Sequence, residues 1–372
     1  MNYIKNIDCI NGMKELEKNS IDLLVTSPPY DNLRTYNDNI HETWNFDVFK
    51  DIADEIKEVM TDDGVLCWVV GDATIKGSET GSSFKQAIYF DSIGLHLIDT
   101  IIYEKNSAPF PAGKNGNRYT QTFEYIFVFS KNKNKIDYSK KIPFEDKNKH
   151  IIKGDLKTDI QKTFGDVVYI TDTPPVMEKG EVSVLIGNSL SDFKKVIKMM
   201  ENGFLLHDTM ISAKNGKYTF VFILSYKQKP KYASLFADKK NRWAGSEGFG
   251  TTQERKQTGE LVPRKKKIVA KYGVRNNIWY FDDKDIDNIW KYNTGGGFTT
   301  KDKIALKHPA MFPEKLAEDL IRVFSKEGDT VLDIFLGSGT TVKIAKKLNR
   351  KYIGFDISKE YIDISNERLK LV

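Results

Sequence analysis

Cysteine is scarce in this chain. Cys9 and Cys67 are the only two in 372 residues, too few for a disulfide framework and without metal-ligand spacing. That usage leads us to expect a reducing, cytoplasmic setting. Long apolar runs are missing too: nothing approaches the ~18 consecutive apolar residues of a membrane span. The opening MNYIKNIDCINGMKELEKNS holds no apolar signal core. No Gly-Lys-Ser or Gly-Lys-Thr follows a glycine-rich turn, which disfavours a cradle for a nucleoside triphosphate. What is present has a globular balance, 40% hydrophobic and 29% charged. The net charge of +6 is compatible with nucleic acid without being diagnostic of it.

Three zones follow. Residues 1–131 alternate apolar runs with amphipathic stretches. IDLLVT, GVLCWVVGD, HLIDTIIYEK and TFEYIFVFSK read as strands. NFDVFKDIADEIKEVM, with Phe46, Phe49, Ile52, Ile56, Val59 and Met60 at helical spacing, reads as a helix, as does SFKQAIYFDSIG, stopped by Gly94. Residues 132–300 are Lys/Asn-rich and form the candidate target-recognition region, with the basic stretch ERKQTGELVPRKKKIVAKYGVRNN and the glycine cluster NTGGGFTTKDK. Residues 301–372 return to alternation: FPEKLAEDLIRVFSKEG as a helix with Pro313 in its first turn and Gly328 as its stop, TVLDIF as a strand, TTVKIAKKLN as a helix and KYIGFDIS as a strand. Such alternation predicts an α/β fold with a central, mostly parallel sheet covered on both faces.

An internal echo crosses the first two zones. FKQAIYFDSIGLHLIDTIIYEKN (84–106) and FKKVIKMMENGFLLHDTMISAKN (193–215) share ten residues at a fixed offset of 109. VVGDA precedes the first as LIGNS precedes the second, and LVTSPPY is matched by ITDTPPV. Residues 132–226 thus read as a degenerate partial repeat of about 26–131. Val176 stands in place of Tyr30, and GSETGSS has no counterpart.

In TVLDIFLGSGTT a buried strand ends at Asp333-Ile334-Phe335, and Gly337-Ser338-Gly339 turns into a helix. Glycines there let a ligand approach backbone closely, and the helix start offers free N–H groups. Seventeen residues after Gly339, Asp356 ends the next strand, where a carboxylate can accept two ribose hydroxyls. Near the other end, the buried strand IDLLV runs into Thr26-Ser27-Pro28-Pro29-Tyr30, and two prolines end strand pairing with a rigid turn.

Together, Ser-Pro-Pro-Tyr after an apolar strand and Asp-x-Phe-x-Gly-Ser-Gly-Thr-Thr resemble an S-adenosyl-L-methionine-dependent DNA amino-methyltransferase. The order is permuted, with the Pro-Pro-Tyr element first and the glycines last, which resembles the beta class. The resemblance covers about 1–131 and 227–372, and it implies a circularly permuted Rossmann-like methyltransferase fold with an inserted target-recognition region. In it, 1–131 is the catalytic half and 301–372 the cofactor-binding half.

The resemblance implies residue roles. Asp333, Phe335, Gly337, Ser338, Gly339, Thr340 and Thr341, with Thr26, match the cofactor loop and its neighbourhood, and Asp356 matches the ribose-binding acid. Asp8 matches the acid that reaches the adenine, although Ile7 stands where the family more often has glycine. His308, Pro309, Phe312 and Pro313 match the segment closing over the methionine moiety. Asp72 and Thr74 line the same cleft, though Asp72 equally reads as a helix cap. No metal is called for.

Ser27, Pro28, Pro29 and Tyr30 are the catalytic set. The lone pair of an exocyclic amino group is delocalised into its base. Acceptance of its N–H groups by Ser27 Oγ and the Pro28 carbonyl favours a pyramidal, nucleophilic nitrogen, and the prolines hold that carbonyl fixed. Tyr30 stacks on the flipped base. In the family, Ser-Pro-Pro-Tyr goes mostly with cytosine N4. Adenine N6 is the alternative, and a non-catalytic nucleic-acid-binding relative a further one. Duplex DNA is the expected partner, and a homodimer and a cognate restriction endonuclease are compatible with the resemblance. Candidate DNA contacts are Arg242, Trp243, Arg264, Lys265, Lys266, Lys267 and Arg275 in the basic zone, with Arg34 and Arg118 near the cleft.

Overall fold

The computed structural model describes residues 2–29, 44–105, 118–133, 140–141, 149–170, 176–230, 233–240, 244–246, 253–255, 261–263, 271–294, 297–308, 311 and 313–372. The first zone builds β1 (Tyr3–Asn6), α1 (Cys9–Lys14), β2 (Ile21–Thr26), α2 (Phe46–Val59) and β3 (Met60–Val70). A short hairpin, β4 (Thr74–Ile75) and β5 (Ser78–Glu79), leads to α3 (Ser82–Ser92), β6 (His96–Lys105) and β7 (Phe123–Ser130). Local chemistry sets these elements. The Asn45 side chain accepts the backbone N–H groups of Asp47 and Val48 and starts α2. Phe49, Ile52, Ala53, Ile56 and Val59 are the buried face of that helix. After α3, Gly94 at φ +93° turns the chain into β6.

The second zone supplies α4 (Leu156–Phe164), β8 (Val167–Tyr169), β9 (Val182–Gly187), α5 (Leu190–Glu201), β10 (Phe204–Lys214) and β11 (Lys217–Tyr226). Six short strands follow: β12 (Lys239–Lys240), β13 (Gln253–Arg255), β14 (Leu261–Pro263), β15 (Tyr272–Gly273), β16 (Ile278–Tyr280) and β17 (Ile289–Tyr292). The last zone adds a 3-10 turn at Lys303–Lys307, α6 (Glu314–Phe324), β18 (Thr330–Asp333), α7 (Thr340–Lys347), β19 (Lys351–Asp356) and α8 (Lys359–Leu369). Pro313 is the N-cap of α6 and not a first-turn residue. The helix stops at Ser325, which is extended, before Gly328 is reached.

The principal sheet has the order β1-β19-β18-β2-β3-β7-β6-β17. From β1 to β3 every neighbouring pair is parallel; β7 runs antiparallel to both β3 and β6, and β17 is parallel to β6. This is a Rossmann-like fold in permuted order, because the central strand β18 comes from near the end of the chain and β2 beside it from near the start. β17 lies within residues 132–300, so that zone is not a self-contained unit: its last strand forms the edge of the principal sheet.

The second sheet repeats half of the first. Its order β8-β9-β11-β10, with β16 beside β10, matches β2-β3-β7-β6-β17 strand for strand and in every relative direction. Both β6 and β10 are bulged at equivalent places, between Leu97 and Asp99 and between Leu206 and Asp208. Gly203 at φ +88° ends α5 as Gly94 ends α3. Asp155 caps α4 as Asp8 caps α1. A shorter repeat escaped sequence reading. Asn277-Ile278-Trp279 and Asn288-Ile289-Trp290 each lay a strand on one sheet, with the Asn277 carbonyl accepting Ile211 N–H and the Asn288 carbonyl accepting Ile102 N–H, both at 2.8 Å. The two sheets meet through α3 and α5. The meeting place is an apolar seam in which Phe84, Phe127, Phe193 and Phe220 are under 2% exposed. Truncating any one of these rings would cost about 3–5 kcal/mol.

Candidate active site

The site is built at the carboxyl ends of β19, β18, β2 and β3. From β18 the chain crosses by α7 to β19 on one side, and from β2 by α2 to β3 on the other. The boundary between β18 and β2 is therefore the switch point where a doubly wound sheet opens a crevice. Across it the Thr26 hydroxyl donates to Asp333 Oδ1 at 2.8 Å, both residues being buried. That bond ties the start of the Ser27-Pro28-Pro29 turn to the start of the glycine turn. Pro28 and Pro29 are buried and Ser27 is half-buried.

The glycine turn is held closely. Gly337 has φ +49° and Gly339 φ +75°, a region that favours glycine. A Cβ on Gly337 would lie 2.8 Å from His308 Nε2, and one on Gly339 would lie 2.5 Å from Ser365 Oγ. The imidazole of His308 thus packs directly on the turn, against the Tyr361 ring at 4.4 Å between centroids. Gly337 N–H donates to Asp356 Oδ2 and Ser358 N–H to Asp356 Oδ1, each at 2.8 Å. Burial pushes both acids up to about 6, against the hydrogen bonds that lower them. For Asp333 these come from Thr26, Thr341 and the Phe335 N–H, and for Asp356 from the Ser358 and Gly337 N–H groups. Asp8 lies beside Asp356, since β1 pairs with β19 and Ile7 N–H donates to the Asp356 carbonyl at 3.0 Å. Its Oδ1 caps α1 through the Ile10 and Asn11 N–H groups. Phe335 meets the edge of Trp44 at 5.8 Å.

Behind the turn lies a buried ionic network that sequence reasoning missed. Arg368 on α8 is 0% exposed. It donates to the Ser338 carbonyl at 2.7 Å and Thr340 Oγ1 at 2.9 Å, and pairs with Asp302 at 2.9 Å and Glu314 at 2.6 Å. Lys343 Nζ reaches the same two carboxylates at 2.7 and 2.8 Å. The network also takes in part of the glycine-cluster stretch, where Thr300, Asp302 and the 3-10 turn that follows brace α6 and α8.

Several sequence expectations need correction. Asp72 ends β3 as expected, but its carboxylate is committed to the start of α3, accepting Ser83 N–H at 3.0 Å and the Ser83 hydroxyl at 2.5 Å. The N-cap position itself is Gly81, so Asp72 holds the helix start from outside the helix. Thr74 is exposed, on a hairpin that joins the second sheet. Arg118 donates to the Gly77 carbonyl at 2.8 Å and faces Glu79, so its guanidinium is spent inside the protein. Arg275 is 4% exposed, paired with Asp159 at 2.9 Å and Asp238 at 2.6 Å and stacked over Phe236. Neither arginine presents its charge to a DNA backbone. Tyr30, Arg34, Arg242, Trp243, Arg264, Lys265, Lys266, Lys267, Pro309 and Phe312 lie outside the described residues.

Comparison with known proteins gives concordant findings. The family model described as DNA methylase matches residues 21–171 and 168–367. The two matched segments begin on β2 and β8, strands with equivalent places in the two sheets. The orphan methyltransferase M.BamHII of Bacillus amyloliquefaciens is 38% identical over 352 residues, 94% of this chain and 89% of its own length. The type II methyltransferase M2.DpnII of Streptococcus pneumoniae is 46% identical over 90 residues, 24% of this chain and 32% of its own. Among solved structures, the PvuII DNA methyltransferase, described as cytosine-N4-specific, superposes with a TM-score of 0.52 at 17% identity. That match covers 99% of this chain and 86% of that one, a likeness of fold.

Proposed function

This chain belongs to the N6/N4 DNA methylase family, and from that premise we propose that it methylates the exocyclic N4 of a cytosine turned out of duplex DNA, with S-adenosyl-L-methionine as donor. The observation that carries the reading is the Thr26–Asp333 hydrogen bond, which brings the Ser27-Pro28-Pro29 turn and the glycine turn to one crevice.

The donor set at the crevice fits such a cofactor. Asp333 and Asp356 are carboxylates whose burial raises them to about 6, and a ligand bringing hydroxyl donors and positive charge would relieve that desolvation. Asp356 would take the ribose hydroxyls and Asp8 the adenine. The turn from Gly337 to Gly339, with His308 packed on it, would hold the methionine end beside Asp333. When bound, the cofactor supplies an electrophilic methyl group on a sulfonium.

The chain's own part is acceptance and positioning. Ser27 Oγ and the Pro28 carbonyl would accept the amino hydrogens of the base, and the buried prolines fix that carbonyl in advance. Tyr30 is assigned the stacking role from its place in the motif. The choice of cytosine rests on the resemblance, in which Ser before Pro-Pro-Tyr goes mostly with cytosine N4, and Ser27 holds that place here.

The test is incubation with labelled S-adenosyl-L-methionine and unmethylated mixed-sequence duplex, digestion to nucleosides, and mass spectrometry. N4-methylcytosine is the expected product. N6-methyladenine would keep the mechanism and overturn the base assignment. Cofactor binding without any methylated base would favour a non-catalytic nucleic-acid-binding relative. Ser27→Ala should lower kcat by about 10²–10³-fold while leaving cofactor affinity unchanged.

A further inference from the structure

The seam between the two sheets has the contact pattern of an isologous interface within one chain. In a two-fold contact, residue i of one copy meets residue j of the other and j meets i. Here Phe84 and Phe193, equivalent at the offset of 109, face each other at 4.7 Å between centroids. Phe84 meets Phe222 at 5.5 Å, and reciprocally Phe193 meets Phe127 at 6.0 Å. Tyr125 meets Phe220, its own equivalent, at 5.9 Å. Within the units the pairs repeat as well, Phe84 on Tyr125 at 5.3 Å and Phe193 on Phe220 at 5.6 Å. One continuous hydrophobic cluster contains both sides.

Along this seam the symmetry is broken at a hairpin. The hairpin β4–β5 exists only in the first unit, and it reaches across to β10, where Glu79 accepts Thr209 N–H at 3.1 Å and the Thr209 hydroxyl at 2.5 Å. Among the described residues, the equivalent place beside β6 holds no hairpin. A cavity of about 500 Å³ opens there, lined by Asp99, Thr100, Asn188 and Tyr218 among others.

We propose that the second unit is a tethered stand-in for a second copy of the catalytic half, filling the face through which two such halves would pair, so that the protein is a monomer with one catalytic centre. Without that unit, Phe84, Tyr125 and Phe127 would form an exposed apolar patch of the kind that drives self-association. Covalent linkage gives the internal partner a millimolar-range effective concentration, far above that of a second chain. The second sheet ends at β8 among the described residues, with no counterpart of β18 or β19 and hence no second glycine turn.

Light-scattering mass of the full-length protein between micromolar and about 100 µM protein tests this, a range well below the effective concentration of a tethered partner. The expected result is 42.6 kDa at every concentration. A particle of twice that mass would overturn the proposal. Native-state hydrogen exchange supplies a second readout. If the units form one tethered pair, the amides of α3 and α5 should lose protection together as denaturant rises. Opening of α5 while α3 stays protected would overturn the shared-face claim. A titration with S-adenosyl-L-methionine should give one site per 42.6 kDa, and two sites would overturn it. A monomeric protein that makes no methylated base would leave this proposal standing while the catalytic reading fell.

Discussion

Replacing Arg368 with Met removes a guanidinium that is 0% exposed while keeping a side chain of similar length. Burial pushes Asp302 and Glu314 up, but hydrogen bonds from Lys343 and Arg368 to Asp302 and from Lys343 and Thr300 to Glu314, together with the charges of Lys343 and Arg368, outweigh it, so both sit below their usual range. In the variant the two carboxylates lose one of the two cations they share and keep Lys343, with the Thr300 hydroxyl still donating to Glu314. Breaking a buried ion pair by removing one partner costs about 3–5 kcal/mol. With an unfolding entropy of about 2.1 cal/mol/K per residue, 372 residues give about 0.8 kcal/mol/K, so Tm should fall by about 4–6 °C. The loss should depend on pH in a definite direction. Groups with depressed folded-state pKa values contribute stability above their unfolded values, and that stability disappears as pH falls through the folded ones. The gap between wild type and Arg368→Met should therefore be widest near neutrality and narrow toward acid, where both carboxylates become neutral. Cofactor affinity should fall as well, since the Ser338 carbonyl and the Thr340 hydroxyl lose their donor. Scanning calorimetry at two pH values, with a cofactor titration, measures all three. A Tm within about 1 °C of wild type at neutral pH would refute the assigned contribution of the network.

Cofactor binding should weaken as pH falls below about 6, because a cationic, hydroxyl-bearing ligand favours the charged forms of Asp333 and Asp356, both raised to about 6 by burial. An affinity unchanged between neutral pH and pH about 5 would contradict that. Gly339→Ala combines φ +75° with a Cβ 2.5 Å from Ser365 Oγ, so it should cost more than about 2 kcal/mol and weaken cofactor binding. Gly297→Ala, at φ +83° with nothing within 4 Å, should cost only about 1 kcal/mol, and equal losses in denaturant titrations would show that packing at Gly339 is irrelevant. Burial pushes the Cys9 thiol up to about 12 and the Cys67 thiol well above its usual value. Neither should react with a thiol-specific reagent at pH about 8 until the protein is unfolded; prompt release of one equivalent from the folded protein would argue otherwise.

Elements with strong local signals were legible in the sequence. The buried strands at Ile21–Thr26 and Thr330–Asp333, the Asn45-capped helix and the glycine turn carry their periodicity and punctuation within a few residues. The long echo was legible because 84–106 and 193–215 align without a gap. The Asn-Ile-Trp repeat was not, because three residues in an irregular, basic zone are too few to stand out. Charge is ambiguous in the same way. Arg275 and Arg118 sit where a basic surface would be expected, yet their acids come from segments far away in sequence, Asp159, Asp238 and Glu79. Arg368 escaped notice for that reason too, since its partners Asp302, Glu314 and Ser338 converge only when the last helix docks. Asp72 had two valid local readings, and the hydroxyls that meet its carboxylate, those of Thr80, Ser82 and Ser83, come from eight to eleven residues further on.

The permuted strand order has a consequence for how the molecule is made. β2 is a strand whose residues are almost all buried, and its neighbour β18 is synthesised some 300 residues later. While the chain emerges from the ribosome, the second unit can assemble from β9, β10 and β11, which are contiguous and antiparallel. The catalytic sheet has to wait. Its β2 edge stays unpaired until β18 arrives, an open apolar edge of the kind that recruits other chains. Shortening the protein ahead of β18 therefore removes more than the glycine turn: it leaves the strand that leads into Ser27-Pro28-Pro29 as a permanent edge, and such a product should aggregate rather than fold.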